Sequence, residues 1–336
     1  MVIPARTHIE ETSTRAAAAT VRLRSRANAS KKRLAARTPR WTKAGPISFK
    51  RSSTLDDTMA AVIGSCLHHW TTNLPAAIDG RNPEGVHQVR VGLRRFRSAL
   101  SLFKSVLPDA QRALLNAEAK WLADQLSPLR DLDVFLGDLE KRHVPEEPSG
   151  AALERALKAA HARARVTATA AMRGPRMRRF SARVEAWVEG RGWLIEPDDL
   201  PDVRHFARHA LNKRLRKIQA AAARAEELSV PERHELRIAV KKLRYGLEFL
   251  HPALPQKRTA RMGALLKRLQ DSLGHLNDLD VAERTITQIS TRASAADRKL
   301  IKRGAESLAE DLRKAVAKAE PETERLCHKL VKLPAF

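Results

Sequence analysis

Aromatic residues and cysteines are scarce in this sequence, and both shortages narrow the kind of protein it encodes. Aromatics make up 4% of the 336 residues, while Ala, Leu, Arg and Glu dominate. This composition favours helices over sheets, because these side chains lose little rotamer freedom in a helix. The two cysteines, Cys66 and Cys327, form no CxxC pair and are too few for a disulfide scaffold. We therefore expect both thiols to be reduced and buried, in a reducing compartment such as the cytoplasm.

The sequence also lacks signals for a membrane span, a secretory leader, a metal site and a catalytic motif. No apolar run approaches the ~20 residues that span a bilayer, and the N-terminus lacks the apolar stretch of a secretory signal. The 12 histidines are scattered, without an HxxxH pair or a carboxylate cluster at ligand spacing. The sequence also contains no Walker loop and no GxSxG motif. We therefore predict no membrane span, no metal, no cofactor and no catalytic residues.

Positive charge is in large excess. The formal net charge is +25 at pH 7, and residues 1–51 hold 13 Lys and Arg against 2 acids. The remainder is basic as well, so the N-terminal segment alone does not account for the charge. Such an imbalance raises the energy of the compact state by self-repulsion, which a polyanionic partner would relieve. We interpret residues 1–50 as a flexible basic arm; their Arg, Ala and Ser content also resembles an organelle transit peptide.

The sequence contains an internal repeat. HQVRVGLRRFR at 87–97 aligns with HELRIAVKKLR at 234–244, and LSPLRDLD at 126–133 aligns with LGHLNDLD at 273–280. Both alignments have the same offset of 147 residues. Each half shows about four main segments of helical periodicity joined by short turns, and four helices can enclose one apolar core. We therefore predict an all-α fold built from two pseudo-symmetric four-helix bundles.

The boundaries of these bundles follow from local signals. Thr54 precedes Leu55 and two aspartates, which is typical of an N-cap followed by acids in the first helical turn. A stretch near 190–201 carries Gly, Pro and Asp without periodicity and is interpreted as a linker. We therefore place the first bundle at 54–190 and the second at 201–333.

The repeated motif predicts a row of cations beside an apolar stripe in each half. At about 100° per residue, one stripe of each helix is apolar and should face the core. The apolar stripes comprise Val89, Leu93, Phe96 and Leu100 in the first half, and Leu236, Val240, Leu243 and Leu247 in the second. The neighbouring edges carry His87, Arg90, Arg94 and Arg97, and His234, Arg237, Lys241 and Arg244.

Such a row suits a chain of phosphates. Like charges one turn apart destabilise an isolated helix by ~0.2–0.5 kcal/mol per pair. Arg offers bidentate contacts to phosphate oxygens and Lys a point charge. Bound phosphate would also favour protonated His87 and His234, because histidine titrates near neutrality. A single basic edge is most often a solvated face, but two edges in register favour a binding role.

The second repeated motif contains paired carboxylates, Asp131 and Asp133, matched by Asp278 and Asp280. Paired acids suggest catalysis or Mg²⁺ binding. Residues two apart diverge on a helix, however, so we favour a structural role that holds the arginine row in place.

These motifs resemble the CHAD family, the conserved-histidine α-helical domain, over roughly residues 55–330. The resemblance implies two four-helix bundles with a basic central groove or pore, binding of inorganic polyphosphate and association with polyphosphate granules. It assigns binding to the eight His, Arg and Lys residues of the two edges. Weaker assignments by resemblance are Arg95, Lys120, Lys242 and Lys267. On the helix after the linker, Arg208 and Arg216 are further candidates for the same surface.

Three functions compete. The first is a non-enzymatic polyphosphate-binding protein in the cytoplasm, at polyphosphate granules. The second is a sequence-independent nucleic-acid binder, for which the charge fits but stacking aromatics and a known DNA-binding motif are missing. The third is a phosphate-chain hydrolase or kinase. The ExExK strand of the CYTH hydrolase domain, which accompanies some family members, is missing, so the sequence resembles a stand-alone member.

Overall fold

The computed structural model describes residues 38–50, 52–141, 147–193 and 200–336, apart from the side chains of Lys141, Leu276, Asn277 and Ser307. Within these ranges the secondary structure is helical and no strand occurs, which confirms the predicted all-α class. Residues 1–37 of the predicted arm and 194–199 of the predicted linker lie outside them. The α-helices are α1 Leu55–Asp79, α2 Glu84–Leu102, α3 Asp109–Lys141, α4 Pro148–Arg173, α5 Pro175–Glu189, α6 Val203–Ala222, α7 Val230–Leu250, α8 Gln256–Ser272, α9 Gly274–Thr291 and α10 Ala295–Val331.

Side chains cap the helices that begin each half. The Thr54 hydroxyl accepts a hydrogen bond from the Asp57 amide at 3.1 Å, and the Asp57 carboxylate accepts one from the Thr54 amide. This capping box confirms the predicted start of α1. Ser229 and Glu232 form the same arrangement at α7, and Asp202 caps α6. The cap of α7 fixes the start of the helix that carries the second basic edge.

The apolar stripes predicted for α2 and α7 are buried. All eight members are at most 3% exposed, so the edges beside them are held at fixed angles to the core. One core cluster contains residues of both halves, including Leu93 and Val240. A second cluster also draws on both, and it includes Phe135 of α3 and Ile301 of α10. Residues 41–336 thus form one compact unit, and the division into two bundles stays a prediction.

The helix starts of the two halves follow a common spacing. Asp109 and Gln256, which begin α3 and α8, are 147 residues apart, as are the first residues of α4 and α10. The halves differ in where their helices break. Helix α3 continues through Pro128, whereas its second-half equivalent ends at Ser272 and restarts as α9. The duplication itself remains an inference from the sequence.

Close packing against α1 sets the orientation of α2. A Cβ atom added at Gly92 would lie 2.9 Å from the backbone nitrogen of Trp70, so any larger residue would push the helices apart. The Trp70 ring contacts Phe96 of α2 and Phe180 of α5, with ring centroids 5.3 and 5.4 Å away. With this face of α2 against α1 and α5, its basic edge points toward α3 and α7.

None of the helices described is both long and apolar enough to cross a membrane. Cys66 and Cys327 are buried and free, as predicted. Burial raises the pKa of the Cys66 thiol to about 12 and that of Cys327 to about 11, so both thiols are neutral at pH 7.

Candidate anion-binding site

The two basic edges lie beside each other. Helices α2 and α7 pack together, and Nε of Arg94 donates a hydrogen bond to the Tyr245 hydroxyl of α7 at 3.2 Å. The charges of Arg90 and Arg94 both act on Lys241, and Arg94 also acts on Arg237. We call the eight predicted edge residues the paired ladders. His234, at the start of α7, is exposed, and the other seven members are half-buried.

Neutral groups orient the guanidinium ends of the ladders. Arg90 donates to the Ser127 hydroxyl at 2.9 Å. Arg97 donates to the side-chain oxygen of Asn116, and Arg244 to that of Gln270, both at 3.1 Å. These acceptors fix the planes of the guanidinium groups without cancelling their charge. Arg90, Arg97 and Arg244 are therefore held in fixed orientations by neutral acceptors.

The electrostatics show how crowded these cations are. Burial, followed by the charges of Arg237, Arg94, Arg244 and Arg90, lowers the pKa of Lys241 to about 7. Within the described residues, no carboxylate lies at ion-pair distance from Lys241. An anion placed against this amine would favour its protonated form again.

The same effect extends along α2. Burial is the largest cause that lowers the pKa of Arg90 to about 10, with Arg94 and Arg130 adding repulsion and Asp131 opposing it. Burial and then the Arg130 charge lower the pKa of His87 to about 4, so this imidazole is neutral at pH 7 without ligand. Burial is thus the main cause of both shifts, and the neighbouring cations add to it.

The repeated aspartates have separate surroundings. Asp131 lies 3.9 Å from Arg90, in agreement with the predicted role of holding the ladder, and burial raises its pKa. Asp133 instead contacts His161 of α4 at 2.8 Å, so it supports α4 rather than the ladder. Asp280 pairs with Arg284 on α9, and the Asn277 side chain lies outside the described residues.

Arg95 differs from the prediction. Its side chain is 2% exposed and pairs with Glu248 of α7, and its guanidinium lies 5.3 Å from the Phe249 ring centroid. Arg95 follows Arg94 by about 100° around α2 and therefore points into the contact with α7. In this position it joins two helices and offers no surface to a ligand.

The remaining candidates are less closely associated with the ladders. Lys120 is exposed and pairs with Asp124 at 2.7 Å, although Asp124 also acts on Arg90. Lys242 faces Arg214 and Lys217 of α6. Three further candidates are exposed, and the described contacts do not join them to the ladders: Arg208, Arg216 and Lys267.

The structure adds residues that the sequence analysis did not select. Arg130 of α3 exerts the largest charge effect on His87, and Arg284 of α9 acts on Asp131. Tyr245 contacts Arg94, and its ring lies 4.7 Å from the Arg244 guanidinium. Tyr245 is the single tyrosine of the chain and directly follows the second motif, which could have signalled its role.

No group of three or more His, Cys, Asp or Glu in the described ranges is placed to hold a metal ion. Among families, the chain matches the model of the CHAD domain over residues 61–287. The comparison with curated proteins produced no match.

Two solved structures share the fold. The crystal structure of the CHAD domain from the plant Ricinus communis superposes with a TM-score of 0.72 at 28% identity, covering 88% of this chain and 98% of that chain. PptA from Streptomyces chartreusis superposes with a TM-score of 0.56 at 20% identity, covering 82% of this chain and 100% of that chain. The second likeness is one of fold alone.

Proposed function

Since the chain belongs to the CHAD family, we propose that it binds inorganic polyphosphate along the paired ladders and acts as a binding module rather than an enzyme. The family is associated with polyphosphate binding. The observation that carries the proposal is the surrounding of Lys241: four arginines act on this amine, and no described carboxylate pairs with it. A linear polyanion supplies the missing negative charge at short, regular intervals.

Accessibility favours a slender ligand. Arg90, Arg94 and Lys241 are half-buried residues of α2 and α7, next to α3. Polyphosphate has no base or sugar and presents roughly one charge per phosphate, so it can approach such side chains along its length. A DNA duplex keeps its phosphates on the outside of a wide cylinder and meets only the exposed cations.

Competition between polyanions tests this preference. We expect binding of a fluorescent polyphosphate to survive an excess of duplex DNA, at equal phosphate concentration and moderate salt. Fluorescence anisotropy measures the remaining complex. Both affinities should fall as salt rises, because counterions are released when phosphates are contacted. Displacement by equimolar DNA phosphate would favour the nucleic-acid alternative instead.

Binding should also take up a proton near neutral pH. Without ligand, Lys241 has a pKa of about 7 and is mostly neutral at pH 8. A bound polyanion raises this pKa, so affinity should fall as pH rises from about 7 toward the pKa in the complex, by up to about tenfold per pH unit for one proton. Calorimetry at pH 8, in buffers of different ionisation enthalpy, measures the uptake directly.

Lys241→Arg is the matched variant, because arginine stays charged at this pH. It should bind at pH 8 without the proton uptake that depends on Lys241. The same uptake in both proteins, or an affinity independent of pH between 6 and 9, would contradict this coupling.

A further inference from the structure

A second concave site lies on another side of α7. It occupies about 630 Å³ between the end of α2, helix α6 and helix α7. This volume falls within the ~300–1,000 Å³ typical of small-molecule sites. We call it the lateral pocket; its lining includes Ser101 of α2, Ser105 just after α2, Phe206 and Lys213 of α6, and Ile238 of α7.

The lining of the lateral pocket has an apolar part and a basic part. Its apolar part contains Ile238, which is 38% exposed although it is a large apolar residue, together with the buried Leu102 and Phe206. The cations around this part come from three chain segments, and Glu235 is the acid in the lining. These cations are Lys104, Lys213, Arg214, Lys217 and Lys242, with His209 beside them.

Arg214 is the most enclosed of these cations. It is half-buried, and burial lowers its pKa to about 10. Its guanidinium donates two long hydrogen bonds to neutral acceptors, the Ala210 carbonyl at 3.5 Å and the Ser101 hydroxyl at 3.4 Å. An arginine so poorly satisfied by its neighbours retains donors for an incoming anion.

The lateral pocket is separate from the paired ladders. Lys241 and Lys242 are consecutive on α7 and therefore point about 100° apart. The charges that act on Lys241 are those of the ladder arginines, whereas the strongest charge effects on Lys242 come from Arg214 and Lys217. Arg97, at the end of the first ladder, also acts on Lys242, so the two sites border each other there.

We propose that the lateral pocket binds a nucleoside polyphosphate, with the base on the apolar part and the phosphates on Lys213, Lys217 and Lys242. A bare phosphate chain would leave the exposed Ile238 uncovered. An acyl chain could not form hydrogen bonds with Ser105 and Glu235, which are exposed in the lining, whereas the edge of a base can pair with them. This proposal does not depend on polyphosphate binding at the ladders.

The test measures binding of a fluorescent ATP analogue and competition by ATP and by tripolyphosphate. We expect Lys213→Ala/Lys217→Ala to weaken ATP by at least about tenfold, equivalent to about 1.4 kcal/mol. Lys299→Ala/Arg303→Ala has the same spacing on exposed positions of α10 and should leave ATP affinity unchanged. A phosphorylated lipid, supplied in micelles, should not compete.

The apolar part is tested by Ile238→Asp, which should weaken ATP severalfold more than it weakens tripolyphosphate. Arg94→Ala should leave ATP affinity unchanged, so a failure of the ladder proposal is distinguishable from a failure here. Equal affinity for ATP and tripolyphosphate, stronger competition by the lipid, or an unaffected Lys213→Ala/Lys217→Ala variant would each overturn the proposal.

Discussion

Replacing Arg94 and Lys241 together by glutamate should abolish polyphosphate binding, with a loss of affinity of at least about a hundredfold. A hydrogen bond to a charged group contributes about 1.5–3 kcal/mol, and every 1.4 kcal/mol is a factor of ten in affinity. Each substitution removes such a contact and adds repulsion against the ligand. The two residues come from different helices and act on each other, so the pair affects both ladders at once.

The fold should survive this double substitution. Both side chains are half-buried, and the new carboxylates would face Arg90 and Arg237, which now repel Lys241. Circular dichroism checks that helicity and the thermal transition are retained. Lys299→Glu/Arg303→Glu makes the same change of charge on exposed positions of α10 and should bind normally apart from a small general effect. Equal losses in the two variants would show that net charge alone drives binding.

The same pair of variants addresses location in the cell. If the ladders recruit the protein to polyphosphate granules, a fluorescently tagged chain should collect at granules, and the Arg94→Glu/Lys241→Glu variant should spread through the cytoplasm. The Lys299→Glu/Arg303→Glu control should remain at granules. If both variants remained at granules, the ladders would not be what recruits the protein there.

Helical periodicity was enough to predict the register of the two ladders. The apolar residues of α2 and α7 recur every three or four positions, and the core buries all eight predicted ones. The edge beside each stripe follows from helix geometry, since 100° per residue fixes which side chains are neighbours. The Thr54 cap is equally local, because its partners lie within four residues.

Helical periodicity could not predict which side chains meet between helices. Arg94 and Arg95 are adjacent basic residues, and only the position of α7 makes one a ladder member and the other part of the packing. Arg130 could not be selected because Asn277 occupies the matching position of the second half. Its proximity to His87 depends on how α3 crosses α2. The sequence also could not show which side of α6 faces a concave site. Arg208 and Arg216 were predicted, but other residues of α6 line the lateral pocket.

Glu248→Ala should destabilise the protein strongly, because it leaves the Arg95 guanidinium buried without its carboxylate. Removing one partner of a buried ion pair costs about 3–5 kcal/mol, and the partial exposure of Glu248 favours the lower end of that range. Among the described residues, none accepts a hydrogen bond from Nε or NH2 of Arg95, so Glu248 is the main compensation for this charge. Urea unfolding measures the loss as a lower midpoint at unchanged slope.

Two controls separate the charge from the packing. Glu189→Ala removes an exposed acid at the end of α5 and should change stability by less than about 0.5 kcal/mol. Arg95→Met/Glu248→Gln removes both charges, so it leaves no buried charge unpaired and should recover most of the stability. If Arg95→Ala instead weakened polyphosphate binding tenfold at unchanged stability, Arg95 would be a ligand contact, as its place in the repeated motif first indicated.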